Sequence, residues 1–339
     1  MRAVHRLFPW DVVDDPGAVT ALRDDGVESV ALAALYHGVR AVTPRHPSRR
    51  IVDLPTSVSM LSEPMALPQG EFGYAAARAA LEAGGIEVET WAVIGHLDRV
   101  LPGLARVRTA FGDRLDHAPC LSDRAVRDTL YGLVRGAAQA APGAMLHLEA
   151  VGWQGIGHDS MHNKLHGGGL SAGALDALAC CVCDRCAATV GCDPDRLAWA
   201  MRALVDGTAG AAERDLHADL VAARAMTGRR FAADAVTVAF DAGAGRVSML
   251  SGEGEELRES DRVDLLVDCW GAPDRGIAML AGAGGGIAYV DVLSGDPRGF
   301  EAHWRALAEA GAREVHVYHA GLASTERRRA ASRAARLIA

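Results

Sequence analysis

The chain has 339 residues, half of them hydrophobic and only 5% aromatic, enough for one large core or two ordinary ones. Its formal charge of −8 carries no compensating basic stripe, which argues against nucleic acid as a partner. No signal-peptide pattern opens it and no uncharged apolar run is long enough to span a bilayer, so a cytoplasmic protein that meets no membrane is expected.

In chain order the pattern is strand, then helix, repeated. Leu7 and Phe8 end a first short strand, and Asp15-Pro16 reads as a helix start with proline at the first helical position. That helix stops at Gly26, and Ser29 to Leu35 makes a second strand. A long loop rich in Pro, Arg and His follows, from Tyr36 to Gly70. Ala75 to Ala83 reads as helix, Ile86 to Ile94 as the third strand, and Ser122 as the cap of a helix carrying Val126, Leu130, Leu133, Val134 and Ala137. Met145 to Glu149 lies in the fourth strand. Asp193-Pro194 opens a helix with Leu197, Met201, Leu204 and Val205, and Asp296-Pro297 one with Phe300, Trp304 and Leu307. Four more apolar stretches complete the strands: Arg246 to Leu250, Val263 to Trp270, Ile287 to Leu293 and Glu314 to His319. Ala235 to Phe240 competes for the fifth place.

Eight strands with intervening helices fit a single (β/α)8 TIM-type barrel spanning 1–339, with long loops after strands 2 and 4 and a His/Cys-rich insertion over 152–192. A doubly wound sheet is the alternative. However, Gly282-Ala283-Gly284-Gly285-Gly286 precedes a strand rather than linking strand to helix, which makes it a poor dinucleotide loop. The arginines at 327, 328, 329, 333 and 336 read as the solvated face or dipole complement of a C-terminal helix.

Within the fourth strand, Leu146 and Leu148 would face one way and His147 and Glu149 the other. A charged residue at the carboxyl end of a barrel strand points to acid/base chemistry, or else to an ion pair holding the rim together. Asp268 and Asp291, each ending an apolar run, are candidates for the second carboxylate that glycoside hydrolysis needs. Tyr36, His37, Arg40, His96, Trp153, Trp270, Tyr318 and His319 follow strands two, three, four, six and eight. They would ring the same mouth, as suits a carbohydrate-like ligand. His158 and His162 add substrate contacts, or ligands for a catalytic metal. Cys181, Cys183, Cys186 and Cys192 offer four thiolates for a structural zinc, with buried free thiols as the other reading.

Tyr36-His37 with Pro44 to Arg50, Trp91 to His96, Ala110-Phe111-Gly112-Asp113, Leu148-Glu149-Ala150, the Cys-x-Cys-x-x-Cys segment and Tyr318-His319-Ala320-Gly321 together resemble a bacterial family of (β/α)8 barrels that is itself similar to glycoside hydrolases. The resemblance implies the barrel and a carboxylate on the fourth strand, matched by Glu149. The commonest glycosidase clan places a nucleophilic Glu on the seventh strand, where this chain has Asp291. The expected function is cleavage of a glycosidic or sugar-like bond with Glu149 as proton donor and no required cofactor. The alternatives are a metal-dependent sugar isomerase, epimerase or lyase, and a sugar-binding barrel without turnover.

Overall fold

The computed structural model describes residues 1–98, 101, 103–156, 169–250, 263–269 and 273–337. Eight parallel strands close into a barrel: β1 (Arg2–Leu7), β2 (Ser29–Tyr36), β3 (Glu87–Val93), β4 (Met145–Glu149), β5 (Arg246–Leu250), β6 (Val263–Asp268), β7 (Gly286–Asp291) and β8 (Ala312–Tyr318). Each pairs with its neighbours in sequence order, and β1 pairs with both β2 and β8, so no edge is left open. A short antiparallel strand, Val58–Ser59, adds to the end of β2, and the long loop after β2 also holds the hairpin Val39–Val42/Ile51–Leu54.

Ten helices accompany the strands among the described residues: α1 (Ala18–Asp24), α2 (Tyr74–Ala83), α3 (Arg124–Gln139), α4 (Ala172–Ala179), α5 (Asp184–Thr189), α6 (Pro194–Val205), α7 (Ala211–Asp241), α8 (Pro273–Gly282), α9 (Phe300–Glu309) and α10 (Thr325–Leu337). No described helix is long and apolar enough to cross a membrane. Several starts differ from the sequence reading: α2 begins one residue early, at Tyr74, and Asp296-Pro297 opens a 3-10 turn with α9 following only at Phe300. Asp15 accepts from the Gly17 N–H and α1 begins only at Ala18, and Asp123 rather than Ser122 caps α3, accepting from the Ala125 N–H. Ala235 to Phe240 belongs to α7, which leaves Arg246–Leu250 as β5.

The excursion after β4 carries α4, α5 and α6 and builds a second hydrophobic core. Val107 and Ala118 join it from the hairpin Arg106–Arg108/Arg114–Pro119 after β3, with Ala177, Cys180, Cys186, Leu197, Met201 and Leu220. Helix α7 serves both cores, since Leu220 packs here whereas Phe231, Ala232, Ala235 and Ala239 pack on the barrel.

Arg329, Arg333 and Arg336 of α10 are exposed, as a solvated face requires, whereas Arg327 and Arg328 make contacts within the fold. Arg328 is buried and donates through Nε and Nη2 to Asp25 Oδ2 at 3.0 and 2.6 Å, while Arg329 and Arg45 reach the same carboxylate at 2.9 and 2.8 Å. Arg327 donates to the carbonyls of Val292, Ser294 and Gly295.

The barrel lumen is polar, where such barrels are usually filled by branched apolar side chains. Arg2 on β1 reaches Glu89 on β3 at 2.7 Å, and Arg6 on β1 reaches Glu149 on β4 at 2.5 Å. These strands are not neighbours, so both contacts cross the interior. His147 Nε2 donates to Glu89 Oε2 at 2.6 Å, its Nδ1 meets Ser248 Oγ at 2.6 Å, and its ring packs edge-on against His316. Burial raises the Glu89 pKa, but the hydrogen bond and charge of His147, with His316 and Arg2, outweigh it and hold the carboxyl at about 2.

Glu89 therefore contributes stability that is complete above about pH 4.5 and is lost as pH falls toward about 2. Glu89→Gln is expected to lower unfolding stability by about 1.5–3 kcal/mol at neutral pH, with the gap to the parent closing across that acid window. Urea unfolding at pH 7, 4 and 3 measures it. A gap that stays constant would show that another group titrates.

Candidate active site

The pleat sets which residues reach the mouth. His147 lies in the lumen, so Glu149, two residues on, faces inward at the carboxyl end of β4, while Leu146 and Leu148 pack in the main apolar core. Leu266 on β6 and Tyr289 on β7 share a small cluster with Met145 of β4, which puts Asp268 and Asp291 on the same inward faces at their strand ends. All three acids read from the sequence as catalytic candidates thus belong to the rim layer. Their distances from one another are set by strand order: Asp291 ends β7 beside Tyr318 of β8, and Asp268 ends β6 beside Tyr289.

Glu149 is partly exposed, with its floor provided by Arg6, which is wholly buried. The guanidinium lies 4.8 Å from the centroid of Trp91 and 4.3 Å from that of Tyr289, and its Nη2 is 3.4 Å from His316 Nδ1. Burial pushes the Tyr289 phenol well above its ordinary pKa, and the nearby Glu149 carboxylate adds to the effect. From there a continuous set of rings lines the rim. Tyr318 packs on Tyr289 at 5.0 Å and edge-on to Trp91, and its hydroxyl meets that of Tyr36 at 2.9 Å. Burial and then the Glu149 charge raise the Tyr318 pKa, and burial likewise raises that of Tyr36, so both tyrosines are neutral hydroxyls able to donate a hydrogen bond.

On one side of Tyr36, His37 stacks on it and on His96, with centroids 4.2 and 4.5 Å apart. Burial, then the nearby His96, hold His37 at about 4, so it is a neutral imidazole at pH 7, with Nδ1 directed to the Gly38 carbonyl. On the other side, His319 packs on Tyr318 and its Nδ1 lies 3.3 Å from Asp291 Oδ1. Burial raises the Asp291 pKa, but hydrogen bonds from His319 and the Leu293 N–H outweigh it and keep the carboxyl below its ordinary value. Asp291 also lines a cleft of about 390 Å³ with Phe300, His303 and Trp304, on the helix side of β7.

The backbone is unusual at two of these strand ends. Ala150, directly after Glu149, and His319, directly after Tyr318, have φ of 57° and 60°. Left-handed non-glycine residues are uncommon and cluster at functional sites. Ile94 N–H donates to the Glu149 carbonyl at 2.9 Å, and a Cβ on Gly95 would come within 2.3 Å of the Ala150 carbonyl oxygen. Gly95→Ala is therefore expected to cost about 1–3 kcal/mol and to displace Glu149. Gly132→Ala on α3, where a Cβ meets nothing within 4 Å, is the control. Thermal melts and binding of mono- and oligosaccharides to both variants check this; equal behaviour would show that the β3 and β4 ends are not tightly apposed.

Some expected residues are placed elsewhere. Arg40 is on the exposed hairpin after β2, paired with Asp53 at 2.7 Å. Trp153 is drawn onto α7, donating from Nε1 to the Arg224 carbonyl at 2.9 Å beneath the Arg224 guanidinium. His158, His162 and Trp270 lie outside the described residues. Cys181, Cys183 and Cys186 converge, but Cys192 does not join them: Gly191, with φ of 61°, turns the chain after α5, and the Cys192 thiol meets the Asp193 carbonyl. Cys120 takes the fourth place.

Among the described residues, two further groups of side chains have metal-ligand atoms within 4.8 Å of one another: His37, His96 and Asp98, and Glu89, His147 and His316. In the first, the Gly38 N–H donates to Asp98 at 2.8 Å and His37 is tied to the Gly38 carbonyl, so the group already fixes the loop after β2. The second is the lumen network. Sequence reasoning missed Arg6, Glu89, Tyr289 and Cys120. The first two did carry a signal, a charge inside a segment that otherwise reads as a buried strand.

No family model and no curated protein matches the sequence. Among solved structures, the chain is similar to the PgaB (BpsB) glycoside hydrolase domain from Bordetella bronchiseptica, with a TM-score of 0.59 and 15% identity over 95% of this chain and 94% of that one. It is also similar to a GH20 exo β-N-acetylglucosaminidase from Vibrio harveyi, with a TM-score of 0.46 and 9% identity over 98% of this chain and 53% of that one. At such identities the first likeness concerns the fold alone, and the second carries no argument. In architecture the chain is a (β/α)8 barrel.

Proposed function

We propose that this chain cleaves a glycosidic or sugar-like bond at the carboxyl end of its barrel, with Glu149 as proton donor and Asp291 as the second carboxylate. The observation that carries the reading is the rim itself: an inward, partly exposed Glu149 on a buried arginine, joined through Tyr289 and Tyr318 to Asp291. Glu149 would protonate the leaving-group oxygen while Asp291, kept charged by His319 and the Leu293 N–H, attacks the anomeric carbon or activates water. Asp268 is the other candidate for that role. Tyr36 and Tyr318 would hold sugar hydroxyls, and a carbohydrate-like small molecule is the only partner required.

The Arg6 contact favours a second assignment within the same reaction. A carboxylate matched to a guanidinium at 2.5 Å suits the charged role, as nucleophile or as stabiliser of an oxocarbenium-like transition state. Aryl glycosides and sugar conjugates assayed on the parent and Glu149→Gln test the proposal. Turnover by the parent and its loss in a folded variant support it. Equal rates remove Glu149 from the chemistry, and sugar binding without parent turnover would mark a binding barrel. Conversion of a free sugar without hydrolysis, lost on chelation by a chain that stays folded, would favour a metal-dependent isomerase, epimerase or lyase.

A further inference from the structure

Cys120 ends the hairpin after β3, whereas Cys181, Cys183 and Cys186 lie at and just before the start of α5 in the excursion after β4. The fold brings the four thiols together across a separation of more than sixty residues. Cys120 Sγ is 3.8 Å from Cys181 Sγ, 3.8 Å from Cys183 Sγ and 3.6 Å from Cys186 Sγ, and all four sulfurs lie within 4.8 Å of one another.

These separations discriminate between chemistries. A disulfide requires about 2.05 Å between sulfurs, so none is formed. A tetrahedral ion with metal–sulfur bonds of about 2.3 Å places its ligands about 3.8 Å apart. The three distances from Cys120 match that edge. Ordinary core packing has no reason to gather four thiols from two loops at this spacing, because one thiol gains no more from another than from a methyl group.

The surroundings suit thiolates. Cys120, Cys181 and Cys186 are buried, with Val107, Ala118, Val182, Ala187 and Leu197 in the same apolar cluster. The Arg108 backbone N–H points at Cys181 Sγ at 3.4 Å, and Cys186 Sγ meets Ser122 Oγ at 3.3 Å. Such contacts orient sulfur ligands and spread their charge.

We propose that Cys120, Cys181, Cys183 and Cys186 bind one zinc ion in a closed structural site. Four protein ligands leave no position for water or substrate, so the ion takes no part in hydrolysis. It clips the hairpin after β3 to the start of α5 and so ties the two excursions into one core. Binding displaces the thiol protons to solvent and involves no change of oxidation state.

The test is metal content of the full chain purified under reducing conditions without added metal. About one zinc per chain is expected, released when a mercurial titrates the thiols. Cys120→Ser is expected to lose about nine-tenths of that zinc on dialysis against a chelator, whereas Cys192→Ser keeps it. Should Cys120→Ser fail to fold, X-ray absorption of the parent decides instead: an all-sulfur shell near 2.3 Å supports the site. Zinc bound through nitrogen or oxygen, iron in place of zinc, full retention by Cys120→Ser, or a parent that holds no zinc and gives no tetrahedral thiolate spectrum with cobalt(II) each overturns it.

Discussion

With Glu149 as the proposed proton donor, Glu149→Gln is expected to slow cleavage of glycosides with poor leaving groups by about 10²–10⁴-fold, the usual contribution of a positioned general acid. Glycosides of dinitrophenol should lose far less, because that phenolate departs without a proton. The contrast follows from the donor's role, which is confined to the leaving-group oxygen. If the Arg6 pairing instead marks Glu149 as the nucleophile or an electrostatic partner, the variant loses that role and every leaving group suffers alike. Plotting log kcat/KM against leaving-group pKa for parent and variant separates the two. A steeper dependence in the variant supports the donor role, and parallel lines assign the charged one.

The second large effect concerns stability. Asp25→Ala is expected to cost about 3–5 kcal/mol, since it strands the guanidinium of Arg328, which is 3% exposed, in the protein interior. Asp25 closes α1, Arg328 and Arg329 stand on α10, and Arg45 comes from the loop after β2, so one carboxylate joins the first and last helices to that loop. Arg329→Ala should cost less than about 1 kcal/mol, because that side chain is half exposed and solvent replaces the carboxylate. Chemical unfolding of both variants measures the difference. Comparable losses would show that burial does not set the strength of these contacts.

The barrel was legible because most strands are short, largely apolar runs followed by turn residues, and Glu149 stood out at the end of one of them. Ala235 to Phe240 was ambiguous for a physical reason: Val236 and Val238 suit strand or helix, and only the continuity of α7 decides between them. What could not be read depends on contacts distant in sequence. Arg6 meets Glu149 across 143 residues and Arg328 meets Asp25 across 303, so neither partner is visible from local pattern. The thiols show the same limit. Cys180 and Cys192 both lie closer along the chain to the other three, yet Cys120 joins them because two excursions fold against each other.

Helix α7 has a geometric consequence. Its 31 residues span about 46 Å, and its two halves serve different cores. Inserting one residue between Ala223 and Phe231 would turn one contact stripe by about 100° relative to the other, so only changes near whole turns keep both halves seated. The thiol-bearing lobe cannot drift in length independently of the barrel; the helix works as a shared axle whose phase fixes how the two parts are mounted.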